Sequence, residues 1–227
     1  MATIGIEWVN QYHGRAGDLS NNDNNAEGFY NKLSGVKKFN WGDDLAWDQD
    51  FEALGVGSPS TGTDTSWIDT VDIAFFSGHG SPGGILFGRD TLDDGAAKNT
   101  EMTLGDFDLE WIVFDACQVL EFSGVFDRWG WPVFRGLHYI LGFHTTCLDV
   151  GDRGEKFADR LNNGWSVRDA WIRACQETEG SSTELAYLRA DNTSIGTDTF
   201  NDHWWGQGSV SADPVNPDIL FHLRTTC

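Results

Sequence analysis

Val71-Asp72-Ile73-Ala74-Phe75-Phe76 runs straight into Ser77-Gly78-His79-Gly80, and this stretch decides the fold. A near-continuous apolar run closed by small and polar residues is the pattern of a strand covered on both faces. Such strands belong to the parallel sheets of α/β proteins. The pattern returns twice. Ile112-Val113-Phe114 stops at Asp115-Ala116-Cys117, and a run from Leu137 to Phe143 stops at His144-Thr145-Thr146. Three buried strands each end in polar or reactive residues.

On the N-terminal side, Ile4 to Val9 reads as a first strand. Asn25 to Leu33 reads as a helix, with Phe29 and Leu33 four apart and Gly35 placed to end it. Val36 to Trp41 reads as a second strand, Asp43 to Leu54 as holding a short helix, and residues 55–66 as a loop rich in Gly, Ser and Thr. Beyond the third buried strand, Asp152 is placed to cap a helix, with Glu155 as its partner and Gly164 as the stop. Ser166 is placed to cap another, in which Val167, Ala170, Trp171, Ala174 and Cys175 share one stripe. Strands alternating with helices predict a three-layer α/β sandwich, with a mostly parallel central sheet and helices on both faces. We read one domain over residues 1–227. Its core spans about 1–178, and 179–227 form an irregular C-terminal extension packed on it. Within that extension Ala186–Arg189 and Ile219–Arg224 are candidate strands, and Trp204-Trp205-Gly206 is a loop over one sheet edge.

Composition limits the functions. With 35 acids against 15 bases, the formal charge is −20. Affinity for nucleic acid or an anionic membrane needs the opposite sign, so basic peptides are the better electrostatic match. No apolar run approaches the length of a membrane span. The N-terminus has no basic segment followed by an apolar one, so a cytoplasmic location is expected. Four cysteines, Cys117, Cys147, Cys175 and Cys227, are too few and too scattered for a disulfide framework or a zinc site. Cys147 and Cys175 read as inert core thiols.

In an open parallel sheet, catalytic groups gather at the carboxyl ends of the strands. His79 and Cys117 each stand just past such an end. A thiol is only partly ionised at neutral pH. A nearby imidazole favours the thiolate and can protonate a departing amine. Gly80, lacking a side chain, lets its N–H approach a substrate carbonyl and, with the Cys117 N–H, form an oxyanion hole.

A strand ending in His79-Gly80, succeeded by a strand ending in Ala116-Cys117, resembles the signature of the caspase-like (clan CD) cysteine peptidases. Phe157, Leu161, Gly164, Ser166, Val167, Ala170 and Ala174 are similar to the segment beyond the nucleophile in gingipain- and CHAT-type members. The resemblance covers roughly residues 1–178 and implies a Cys117–His79 dyad acting through a thioester, with no required cofactor. The sequence departs from the family at Gln118-Val119-Leu120, where relatives carry glycine or Ser-Gly. Asp115 matches in position the acidic residue with which metacaspases receive Arg or Lys at P1, so the resemblance implies cleavage after a basic residue. Asp149 and Asp152 are weaker alternatives for that pocket, and His144 is a candidate substrate contact bordering the cleft. Several relatives use calcium, and Asp90-x2-Asp93-Asp94-Gly95 offers oxygen ligands, although it lacks the full EF-hand pattern. Two alternatives remain open: a ligase or cyclase in which an amine captures the thioester, and a non-catalytic Trp-rich binding module. For the latter, Trp41, Trp47, Trp204 and Trp205 lie in predicted loops.

Overall fold

The computed structural model describes residues 1–57 and 61–227. The Gly, Ser and Thr-rich loop read over 55–66 therefore includes three residues, 58–60, outside the described ones. The strands are β1 Thr3–Trp8, β2 Val36–Gly42, β3 Ile73–Ser77, β4 Gly80–Ser81, β5 Gly84–Leu86, β6 Ala96–Lys98, β7 Trp111–Asp115, β8 Tyr139–Phe143, β9 Glu184–Asp191 and β10 Ile219–Thr226. The helices are α1 Asn22–Lys32, α2 Arg153–Asn162 and α3 Val167–Gln176.

Seven strands make the central sheet, in the order β10-β9-β8-β7-β3-β1-β2. Those from β8 to β2 are mutually parallel, whereas β9 runs antiparallel to both its neighbours, β8 and β10. All residues of β3, β7 and β8 are buried, as their unbroken apolar runs require. Alternation along each strand divides the core in two. Ile73, Phe75, Trp111 and Val113 pack with Phe29, Phe157 and Trp171 on one face. Ala74, Phe76, Ile112 and Phe114 pack with Phe51, Phe87 and Trp129 on the other.

All three α-helices lie on the first face. This corrects the expectation of helices on both faces. Short 3-10 turns at Asp43–Leu45, Asp48–Phe51, Asp64–Ser66 and Ile68–Thr70 cover the second face, together with the small antiparallel sheet β4-β5-β6 and a five-residue π-turn at Phe126–Gly130. The reason is local. The β3–β7 connection is broken by glycines and aspartates and carries no 3.6-residue apolar stripe, so it forms hairpins.

In residues 179–227 both candidate strands form, in a more regular arrangement than an irregular extension. β9 and β10 complete the central sheet, and β9 is buried from Leu185 to Asp191. Ser166 caps α3 as predicted, its Oγ accepting the Asp169 N–H at 3.3 Å. Asp152 stands at the N-cap of α2 without a capping bond and pairs with Lys156 instead. No helix among the described residues is long and apolar enough to cross a membrane.

Candidate active site

Register sets the site. β1 pairs with β3 so that Trp8 faces Ser77, and β3 pairs with β7 so that Ser77 faces Asp115. The two inner strands therefore leave the sheet at one level, and His79 and Cys117 each stand two residues past these paired ends. The chain runs from β1 out to β2 and returns to β3 on the other side of β1. This reversal is where an open α/β sheet leaves a crevice. A cleft of about 210 Å³ occupies it, lined by His79, Cys117, Asp115, Cys147 and Asp149 among others.

Two backbone features hold the Cys117 turn. A Cβ on Gly80 would lie 2.8 Å from Ala116 Cβ and Val119 Cγ2, and 2.9 Å from the Cys117 carbonyl. Only glycine lets the strand leaving His79 press this closely on the Cys117 segment. Gln118 has a φ of 61°, left-handed backbone that costs a non-glycine residue roughly 1–2 kcal/mol. The conformation that glycine would supply at this position is thus kept by Gln118. Its N–H donates to the Thr145 carbonyl at 3.0 Å and its carbonyl accepts from Glu121 at 2.9 Å, which fixes the turn against the end of β8.

Cys117 is half-buried and acidic. Its Sγ lies 3.7 Å from the Cys147 Sγ, and the Cys147 N–H donates to it at 3.3 Å. The Cys147 thiol bond lowers the Cys117 pKa most. Burial opposes it, the Cys147 N–H and the His79 charge add to the lowering, and the sum brings the thiol down to about 6. The same contact pushes the Cys147 thiol well above its ordinary value, so Cys147 stays protonated as a donor. Cys147 is therefore no inert core thiol, contrary to expectation. Cys175 is sealed in the core. All four cysteines are free.

His79 is fixed from the β1–α1 loop. Its ring Nε2 lies 2.8 Å from the Gly17 carbonyl. A carbonyl only accepts, so Nε2 carries the hydrogen and Nδ1 is left to exchange a proton. The His79 N–H donates to the Tyr12 hydroxyl at 2.7 Å, and the two rings lie 4.6 Å apart.

Asp115 borders the cleft, but both of its oxygens are engaged. Oδ2 accepts from Asn25 Nδ2 at 2.6 Å, and Oδ1 pairs with the fully buried Arg153. Arg153 also pairs with Glu179 and donates from Nε to Thr178 Oγ1 at 3.0 Å. Asp115 and Glu179 thus share one guanidinium inside the protein, and Asn25 and Arg153 together occupy both Asp115 oxygens. Asp149 stays at the cleft, accepting the N–H groups of Ser20 and Asn21 at 2.7 and 3.1 Å.

His144 is not brought to the cleft. Its Nδ1 accepts the Phe122 N–H at 3.0 Å, and Nε2 lies between Arg224 at 3.0 Å and Glu184 at 3.4 Å. In the Asp-rich loop two carboxylates are paired with basic side chains of the chain itself. Asp90 pairs with Arg15 at 2.7 Å, Asp94 pairs with Lys98, and Gly95 donates its N–H to Asp48 at 2.6 Å. Trp204 is fully buried and donates to the Ser34 carbonyl at 2.7 Å. Trp41 and Trp47 line a separate cleft of about 360 Å³ with Trp67 and Asp50.

The strand order, the paired strand ends and the acidic thiol sharing a cleft with an imidazole define an α/β sandwich with a cysteine–histidine site. Residues 6–226 match the family described as a domain of unknown function, DUF6345, and the chain belongs to that family. No curated protein sequence matches it.

Proposed function

We propose that the chain is a cysteine peptidase with the caspase-like form of the α/β sandwich. The observation that carries this reading is a thiol brought to about 6 in the cleft that also holds an imidazole with a free Nδ1. In the proposed reaction the Cys117 thiolate attacks the scissile carbonyl carbon. The oxyanion is met by the N–H groups of Gly80 and Cys117. Protonated His79 delivers the Nδ1 proton to the leaving amine as the C–N bond breaks, which leaves a thioester on Cys117. Water then gives a proton to Nδ1 while its oxygen attacks the thioester carbon, and the carboxylic acid departs as the thiolate returns. Because both Asp115 oxygens are engaged by Arg153 and Asn25, attraction for a basic P1 side chain rests on Asp149 and on the acidic surface.

The test is labelling by a peptidyl acyloxymethyl ketone with peptide mass mapping of the adduct. We expect adduct on Cys117 alone, lost in His79→Ala, and no peptide turnover by Cys117→Ala. Turnover surviving in Cys117→Ala overturns the proposal.

A further inference from the structure

The second face of the sheet holds a group of carboxylates that the proposed dyad does not use. Asp48 opens the turn at Asp48–Phe51, Glu52 comes directly after it, and Asp93 comes from the β5–β6 connection. One oxygen of each lies within 4.8 Å of the others. Asp48 and Glu52 are each only 1% exposed. Asp48 Oδ2 is engaged, accepting the N–H groups of Gly95 at 2.6 Å and Ala96 at 3.2 Å. Its Oδ1 and both oxygens of Glu52 have no hydrogen-bond partner among the described residues.

Buried carboxylate oxygens without a donor are costly, because nothing replaces the water they lost. The neighbouring cations are engaged elsewhere. Lys98 pairs with Asp94 and Glu101, and Arg15 pairs with Asp90. Two arrangements relieve such a group: a shared proton or a bound cation.

We propose that Asp48, Glu52 and Asp93 bind a hard divalent cation of the Ca²⁺ class. All the donors are carboxylate oxygens, which excludes a preference for the softer metals that seek nitrogen or sulfur. One oxygen of each carboxylate lies within 4.8 Å of the others, and Ca²⁺ accepts flexible all-oxygen ligand sets of this kind at about 2.3–2.6 Å. Main-chain oxygens and water complete the coordination. The ion joins the Asp48–Phe51 turn to the β5–β6 connection, and so braces the small sheet that begins at Gly80 beside His79. Its role is structural and does not depend on the peptidase reading.

The test uses chelator-treated protein, with melting temperature and terbium luminescence as readouts, so its failure leaves the dyad untouched. A bound Tb³⁺ lies next to Trp47 in sequence and is sensitised by its indole. We expect millimolar Ca²⁺ to raise the melting temperature by roughly 5 °C or more and to displace Tb³⁺. Glu52→Gln and Asp93→Asn are near-isosteric and remove one ligand charge each, so both should weaken Ca²⁺ and Tb³⁺ binding by about tenfold or more. Asp64→Asn, in a separate acidic group, should leave binding unchanged. Absence of a Ca²⁺ shift in the native protein overturns the proposal, and so does a shift retained in both ligand variants or lost in Asp64→Asn.

Discussion

The sulfur of Cys147 stands 3.7 Å from that of Cys117, and the Cys147 amide faces the same atom from 3.3 Å. One residue thus offers the Cys117 sulfur two donors. Cys147→Ala removes the larger contribution to its acidity. The midpoint of iodoacetamide alkylation at Cys117 should move from about pH 6 towards the ordinary thiol range. Cys147→Ser, which keeps a donor, should stay close to the native midpoint. An unmoved midpoint in Cys147→Ala would sink this account.

Gly80→Ala brings a methyl group to 2.8 Å from Ala116 and Val119. The backbone under the thiol must yield, at about 1–3 kcal/mol of stability. Labelling of Cys117 should slow by about a hundredfold, since misplacement near 1 Å is worth that much. Urea unfolding and labelling rates measured on the same preparation would separate the two effects.

Arg153→Met leaves Asp115 and Glu179 buried without their shared cation. Removing one side of such a group costs about 3–5 kcal/mol, read as a lower urea midpoint. Arg153→Lys keeps the charge but cannot reproduce the planar, multi-pronged contact. It should fall between the two. Equal midpoints for the native protein and Arg153→Met would contradict the pairing.

At Gln118 the backbone conformation decides the outcome. Gln118→Gly removes the left-handed strain but adds freedom to the unfolded chain, so stability should change by less than about 1 kcal/mol. Gln118→Val places a β-branched residue at a φ of 61° and should lose about 1–2 kcal/mol or more. Denaturant midpoints of the two variants give the comparison.

Burial, with the charges of Asp72, Asp213 and Asp108, raises Glu110 from 4.5 to about 9. The folded state therefore holds this proton more tightly than the unfolded one. Its contribution to stability is complete below about pH 4.5 and is lost as pH rises through about 9. Glu110→Gln makes the group permanently neutral. The gap in melting temperature between variant and native protein should widen in the variant's favour from pH 5 to pH 9. Parallel curves would refute it.

Much of the parallel sheet was legible in the sequence, as was the shared position of His79 and Cys117, because β3, β7 and β8 are covered on both faces and their apolar runs are unbroken. Position after a strand end was enough to find His79 and Cys117, since the Ser77–Asp115 register makes both chains leave together. β9 was harder. Its buried run is interrupted by Arg189 and Asp191, which are paired at 2.8 Å, and no apolar pattern announces a pair of that kind. Arg153 was invisible as the partner of Asp115. At the start of a helix, an arginine looks like a solvated side chain, and only the tertiary fold brings it across 38 residues to the strand end. Cys147 was misread for the same reason, because nothing local reveals which sulfur lies opposite it.

The unequal covering of the two faces has a consequence for how the proposed activity would fail. α1 to α3 seal one side with regular, cooperative hydrogen bonding, while the other carries short turns and small hairpins, the kind of structure that opens first under stress. Gly80 begins a hairpin of this weaker layer, whereas the Cys117 turn is pinned to the end of β8. Mild heating should therefore misalign the imidazole side before the sheet melts, and catalytic competence would fade while circular dichroism still reports a folded protein.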